Sequence, residues 1–163
     1  KSKCLKNDII GFDTGPGMCL IDRYVQDKWN IPYDKDGDIS SMGKIDSKLL
    51  HYLMQDKFIN KQPPKSASTN MYDYNYLLVL NNKFPSINKN NFLRTLLNFT
   101  AKSIRENVKM YINNVNKKNT NLIISGGGSK NMVLFRDICT EFSSFKNIKK
   151  LNYKLITIKS QNF

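Results

Sequence analysis

Short apolar clusters alternate along this chain with breaks rich in glycine, proline and asparagine, and the spacing inside each cluster assigns its element. Asn7–Phe12 is a brief apolar run stopping at a glycine/proline turn, which predicts a buried strand. From Met18 to Trp29, Ile21, Tyr24, Val25 and Trp29 recur at helical spacing. Trp29–Gly43 is polar and broken by Pro32, Gly37 and Gly43, so it reads as loop. Asp46–Gln55 reads as a helix with Asp46 as N-cap and Leu49, Leu50 and Leu53 inward. Gln62–Ser68 contains Pro63 and Pro64, which exclude a helix interior and leave a binding loop or a linker. Met71–Leu80 reads as helix. Periodicity is strongest over Asn88–Asn113, where Leu93, Leu96, Leu97, Thr100, Ile104, Val108 and Tyr111 share one face. Asn121–Ile124 is then a strand, Gly126–Gly128 a glycine turn and Ser129–Phe142 a helix bearing Val133, Ile138 and Phe142. Lys154–Ile158 alternates weakly, as a last strand would. Strands interleaved with helices in this order predict a layered α/β fold.

Composition changes this picture little. A chain of 163 residues with 40% hydrophobic content suits one domain, or one lobe of a larger fold, with a core that needs no disulfides. The formal charge of +13 raises the question of a polyanionic partner. Its make-up answers against one: arginine is confined to Arg23, Arg94, Arg105 and Arg136, and the lysines are spread throughout. A phosphate-gripping surface favours clustered arginine, whereas lysine and asparagine in excess follow from an AT-rich coding sequence. Cys4, Cys19, Cys139 and the single His51 are too few and too scattered for an ordinary zinc site. Unpaired cysteines without a signal peptide suit a reducing, cytoplasmic setting. No apolar run approaches the roughly 20 residues of a membrane helix.

Candidate chemistry gathers in the breaks. In Asp13-Thr14-Gly15-Pro16-Gly17, Gly15 and Gly17 permit a tight turn whose N–H groups can face an anion. Asp13, at the expected strand end, is placed to act as a general base or to hold a metal-bound water; an Asx turn explains the same residues. Gly126, Gly127 and Gly128, between a strand and a helix, suit close approach to a phosphate or nucleoside, or a plain turn. Tyr33–Gly37 (YDKDG) looks like half of a calcium loop but lacks the distal glutamate, so no metal site is assigned. Lys65 and Ser66 offer a cation and a hydroxyl to a substrate.

GFDTGPG at Gly11–Gly17, Asp22, PYDKDG at Pro32–Gly37, Gly43, PPKS at Pro63–Ser66 and SGGGSKN at Ser125–Asn131 occur in one order, and together they resemble the anhydro-N-acetylmuramic acid kinases. The resemblance runs from about Ile9 to Ile158. It implies an RNase-H-like lobe of the actin/hexokinase/chaperone ATPase superfold, with a mixed sheet and flanking helices. It also implies opening of a 1,6-anhydro sugar ring and phosphorylation of O6 by ATP with Mg2+, a step of cell-wall recycling giving N-acetylmuramic acid 6-phosphate. Asp13 matches the family's base; Thr14, Gly15, Gly17 and Gly126–Gly128 match nucleotide or phosphate contacts; Asp34, Asp36, Lys65 and Ser66 match substrate-loop positions.

Departures from the family pattern leave other readings open. An SGTSxDG nucleotide loop and a last acidic helix are not in the sequence, so residues 1–163 read as a single C-terminal lobe. PPKSTGRE becomes PPKSASTN at Pro63–Asn70, losing an Arg–Glu pair, and Met18 stands where the family has Asn. A non-catalytic remnant, or half of a split kinase completed by a separate N-terminal lobe, is the alternative to an active enzyme. A family-type homodimer is a further expectation, and a basic nucleic-acid-binding module is the weakest reading.

Overall fold

The computed structural model describes residues 10–68, 70–112, 121–145 and 147–150. It is mostly helical. Seven α-helices run in order: α1 Cys19–Trp29, α2 Asp38–Ser41, α3 Ser47–Met54, α4 Lys57–Asn60, α5 Tyr74–Lys83, α6 Lys89–Ile112 and α7 Met132–Glu141. Strands β1 (Asn121–Ile124) and β2 (Asn147–Lys150) flank α7, and 3-10 turns cover Lys35–Gly37 and Gly127–Lys130.

Helix α6 is the axle of the molecule. Its 24 residues span about 36 Å, and it packs against α1, α2, α3, α4 and α7. Burial extends all round its middle, from Thr95 to Ala101, which is the signature of a helix enclosed by others. Leu20, Ile21, Tyr24 and Val25 of α1 are buried, and Tyr24 stacks on Phe92 of α6 with ring centroids 4.7 Å apart. Arg94 grips Asp137 of α7 bidentately at 2.6 and 2.7 Å, and Asn98 donates to the same carboxylate at 3.0 Å. That charge-assisted cluster ties α6 to α7.

Helix starts obey local chemistry. Asp46 accepts from Lys48 N and Leu49 N at 3.0 and 2.9 Å, the predicted N-cap. Asp56, Asp73 and Asn131 cap α4, α5 and α7 in the same way. At the far end of α1, Asn30 takes a left-handed φ of 54° and closes the helix on Gln26 O.

Several expectations need correction. Described residues 10–12 form no strand: Ile10 is 60% exposed, and Asp13 N donates instead to Lys65 O at 3.2 Å. The polar stretch 29–43 holds α2 rather than only loop. Helix α5 starts three residues later than Met71, where Asp73 can cap it. Helix α7 starts at Met132 because Asn131, not a glycine, provides the cap. The described sheet is parallel, not mixed, with Asn121 opposite Asn147 and Ile124 opposite Lys150; α7 makes the crossover that parallel strands require. Strand β2 went unpredicted, since Asn-Ile-Lys-Lys has little apolar alternation. The expected strand Lys154–Ile158 lies outside the described residues, as do residues 7–9 of the first.

Candidate active site

The motifs converge on two cavities at the N-terminal end of α1. The first is built by the DTGPG turn and the PPKS loop. Its volume is about 340 Å³, and its wall includes Asp13, Gly15, Gly17, Arg23, Ser68 and Tyr72. Asp13 is exposed to it, and its Oδ2 accepts from Ser66 Oγ at 2.9 Å and from Ala67 N at 2.8 Å. Two donors on one oxygen hold the carboxylate in a defined orientation. Residues 53 positions apart in the sequence thereby meet at one group.

Lys65 plays a different part from the one its charge suggested. Its Nζ is buried, donates to Phe58 O and Ile59 O at 2.8 and 3.1 Å, and lies 4.7 Å from the Phe58 ring centroid. Desolvation pushes its pKa below the usual lysine value, with Lys61 adding repulsion. The ammonium therefore closes the end of α4 and anchors the loop that carries Ser66. Pro63 and Pro64 upstream are joined by a cis peptide bond.

Helix α6 supplies a bed for the DTGPG turn that the hydrophobic pattern did not announce. Thr100 Oγ1 donates to Gly17 O at 3.1 Å, and Asn107 Nδ2 donates to Thr14 O at 3.1 Å. Ser103 lies between them, so close that a Cβ on Gly15 would stand 2.8 Å from its Oγ. Glycine is thus favoured at position 15 by contact, and at position 17 by its φ of +56°. The expected apolar face continued through Ile104, Val108 and Tyr111; the buried row instead turns to Ser103 and Asn107. Polar residues at 100, 103 and 107 share one helix face, and that spacing was the available signal.

The second cavity, about 650 Å³, is walled by Met18, Asp22, Asp34, Asp36, Gly127, Gly128, Lys130 and Asn131, among others. Here the PYDKDG and SGGGSKN motifs interlock. Asp34 is 2% exposed, accepts from Ile39 N at 2.9 Å and Ser40 N at 3.3 Å, and receives Asn131 Nδ2 at 3.2 Å. Gly37, at φ +87°, sits so near α7 that a Cβ would stand 2.8 Å from Val133 Cγ2. Asp36 is exposed in a left-handed conformation at φ 54°. Asp34 thus serves as a clamp between loops, while Asp36 faces the cavity.

Gly126, at φ +91°, opens the glycine turn, and a Cβ on Gly126 or Gly127 would meet nothing within 4 Å. Their backbone is bare to the solvent side, as a nucleotide-facing turn needs. Gly128 differs: its Cβ would stand 2.8 Å from Met18 Cγ, so it lets α1 and this turn meet. The N–H groups of Val133 and Leu134 are taken by Asn131 Oδ1 at 3.1 and 3.0 Å, so the start of α7 offers them to no anion. Asp22 was quoted in the sequence pattern without a role. Its Oδ1 is buried without a hydrogen-bond partner among the described residues, and desolvation together with the charge of Asp34 raises its pKa. Among the described residues no three acidic, cysteine or histidine side chains cluster as a metal site, and no helix is long and apolar enough to cross a membrane.

A loop-held carboxylate thus stands on one side of α1 and a bare glycine turn on the other. The family model of anhydro-N-acetylmuramic acid kinase matches residues 4–157. The chain belongs to that family. It is 39% identical over 132 residues to the anhydro-N-acetylmuramic acid kinase of Clostridioides difficile (strain 630), covering 80% of this chain and 34% of that protein. With the enzyme of the same name from Bacillus cereus (strain ATCC 14579) it shares 37% over 133 residues, 82% of this chain and 34% of the relative. A relative from the gamma-proteobacterium EBAC31A08 gives 36% over 136 residues, 82% and 35%. The chain spans about a third of the length of these curated relatives.

Proposed function

We propose that this chain supplies the sugar-activating part of an ATP-dependent anhydro-N-acetylmuramic acid kinase, an RNase-H-like lobe of the actin/hexokinase/chaperone ATPase superfold. The observation carrying this reading is the Asp13 carboxylate, fixed by Ser66 and Ala67 yet exposed at the wall of a cavity. In this reading Asp13 takes a proton from water as the water oxygen attacks the anomeric carbon. The C1–O6 bond breaks, its electron pair goes to O6, and O6 is then the phosphoryl acceptor. ATP, with Mg2+, supplies the phosphoryl group when bound, and positioning dominates that transfer.

The residues around the second cavity fit a nucleotide: the bare turn at Gly126 and Gly127, of which Gly127 lines the cavity, allows close backbone approach. Asp34, by contrast, is spent on the fold and is not assigned to substrate. Lys65 is assigned to anchoring for the same reason.

The test is to incubate the full-length gene product with ATP, Mg2+ and anhydro-N-acetylmuramic acid and weigh the product. The expected mass is substrate plus one water and one phosphoryl group. Release of ADP without that sugar product, or no ADP at all, contradicts the reading.

A further inference from the structure

We infer that Arg23 is the substrate-recognising cation of the Asp13 cavity, gripping a carboxylate carried by the sugar; this rests on the function proposed above. Arg23 lies on α1, in the wall of the same cavity as Asp13. Among the lining residues of that cavity it is the one cation, and Asp13 the one carboxylate. Its Nη1 donates to the Tyr72 carbonyl, which fixes one side of the guanidinium. Among the described residues no carboxylate lies within ion-pair distance of it.

The contrast with the other described arginines is informative. Arg94 is neutralised bidentately by Asp137, and Arg105 donates from Nε to Glu141 O at 3.0 Å while its guanidinium lies 5.7 Å from the Phe142 ring centroid. Those two tie helices together. Arg23 differs from both: it stands at a cavity, and no ion pair joins it to Asp13 or to any other carboxylate among the described residues.

A guanidinium has five N–H donors in a rigid fork that matches a carboxylate. A half-buried one without an ion-pair partner is costly, and a ligand carboxylate entering the cavity offsets that cost. The muramic sugar carries such a group, the lactyl carboxylate. About 340 Å³ is within the range of small-molecule sites. Ala67 and Ser68, the loop residues lining the cavity, bear no charge, which leaves recognition of an acid to α1.

The experiment compares anhydro-N-acetylmuramic acid with 1,6-anhydro-N-acetylglucosamine, the same ring without the lactyl carboxylate, on the full-length gene product and on Arg23→Gln and Arg23→Lys. Steady-state kinetics and calorimetric binding are read for both sugars, with thermal unfolding to check each variant's fold. Arg23→Gln is expected to weaken binding of the acid sugar about 30-fold, in KM rather than kcat, and to leave the neutral sugar within about threefold. Arg23→Lys restores part of the loss. Equal effects on both sugars, or none on the acid one, overturn the assignment while leaving the proposed function intact. A wild-type protein that neither binds nor turns over either sugar overturns both.

Discussion

Asp13 and Asp34 both stand in short acidic motifs punctuated by glycine, yet their surroundings send them to opposite tasks. Asp34 is almost completely buried, and its carboxylate is consumed by two backbone N–H groups and the Asn131 amide. Asp13 is exposed, held on one oxygen by Ser66 and Ala67 and bordering a cavity. A buried, saturated carboxylate stabilises a fold and has no capacity left for chemistry. An oriented carboxylate at a cavity has that capacity. The lesson extends to the cations: Lys65 is spent on the carbonyls at the end of α4, and Arg23 faces space.

The contrast can be broken from the Asp34 side first. Asp34→Ala orphans the N–H groups of Ile39 and Ser40 and the Asn131 amide, so a loss of about 3 kcal/mol in unfolding free energy is expected from denaturant titration. Asp34→Ala at wild-type stability with abolished turnover makes Asp34 a reacting group and erases the distinction. Gly37→Ala acts on the same clamp, through a Cβ driven against Val133 at an unfavourable φ, and should cost about 2 kcal/mol.

A smaller effect is expected at the bed of the Asp13 turn. Asn107→Ala removes the donor to Thr14 O and leaves the α6 backbone intact. A drop in kcat of about tenfold, with stability lowered by about 1 kcal/mol, is the expected pairing. An unchanged kcat says that α6 holds the turn without positioning Asp13.

Asp22 gives the smallest effect and the one that depends on pH. Its folded-state pKa is raised above the ordinary aspartate value of 3.8, chiefly by desolvation. The folded chain therefore favours the protonated acid, and this contribution is present below 3.8 and lost as pH rises through the folded value. Asp22→Asn escapes that loss. Its melting temperature should exceed wild type by a margin that grows as pH rises above 3.8 and levels off once pH has passed the folded-state pKa. A margin independent of pH contradicts the burial of a charged Asp22.

Much of this fold was legible in the chain, because local signals and tertiary packing agree there. Asp46 caps α3 as its spacing indicates, Leu49 and Leu53 are buried, and α1 and α6 fall within a residue or two of their periodic spans. The misses share a cause. Asn7–Phe12 looked like a strand from its apolar run, but its described residues 10–12 form none, and the nearby backbone bond runs from Asp13 N to Lys65 O. Asn-Ile-Lys-Lys forms β2 through pairing with β1, which its own alternation does not encode.

Site residues divided along similar lines. Type and neighbourhood marked Asp13 and Ser66 as candidates, and the fold brings the two together. Partners that residue type does not reveal turned Asp34 and Lys65 toward the fold: Asn131 lies 97 positions from Asp34, and Lys65 folds back onto the carbonyls of Phe58 and Ile59. Thr100, Ser103 and Asn107 were hidden inside a helix whose apolar residues drew the eye. Arg23 was hidden because one arginine on an amphipathic helix looks like any solvated charge.

Asp13→Asn in the full-length gene product tests the central claim most directly. Asparagine keeps the size and the Oδ acceptor for Ser66 and Ala67 while removing the base. The account predicts a fall in kcat for anhydro-N-acetylmuramic acid of about 10³-fold, with the melting temperature within about 2 °C of wild type. Turnover within tenfold of wild type, at unchanged stability, would contradict it and return Asp13 to the role of a turn residue.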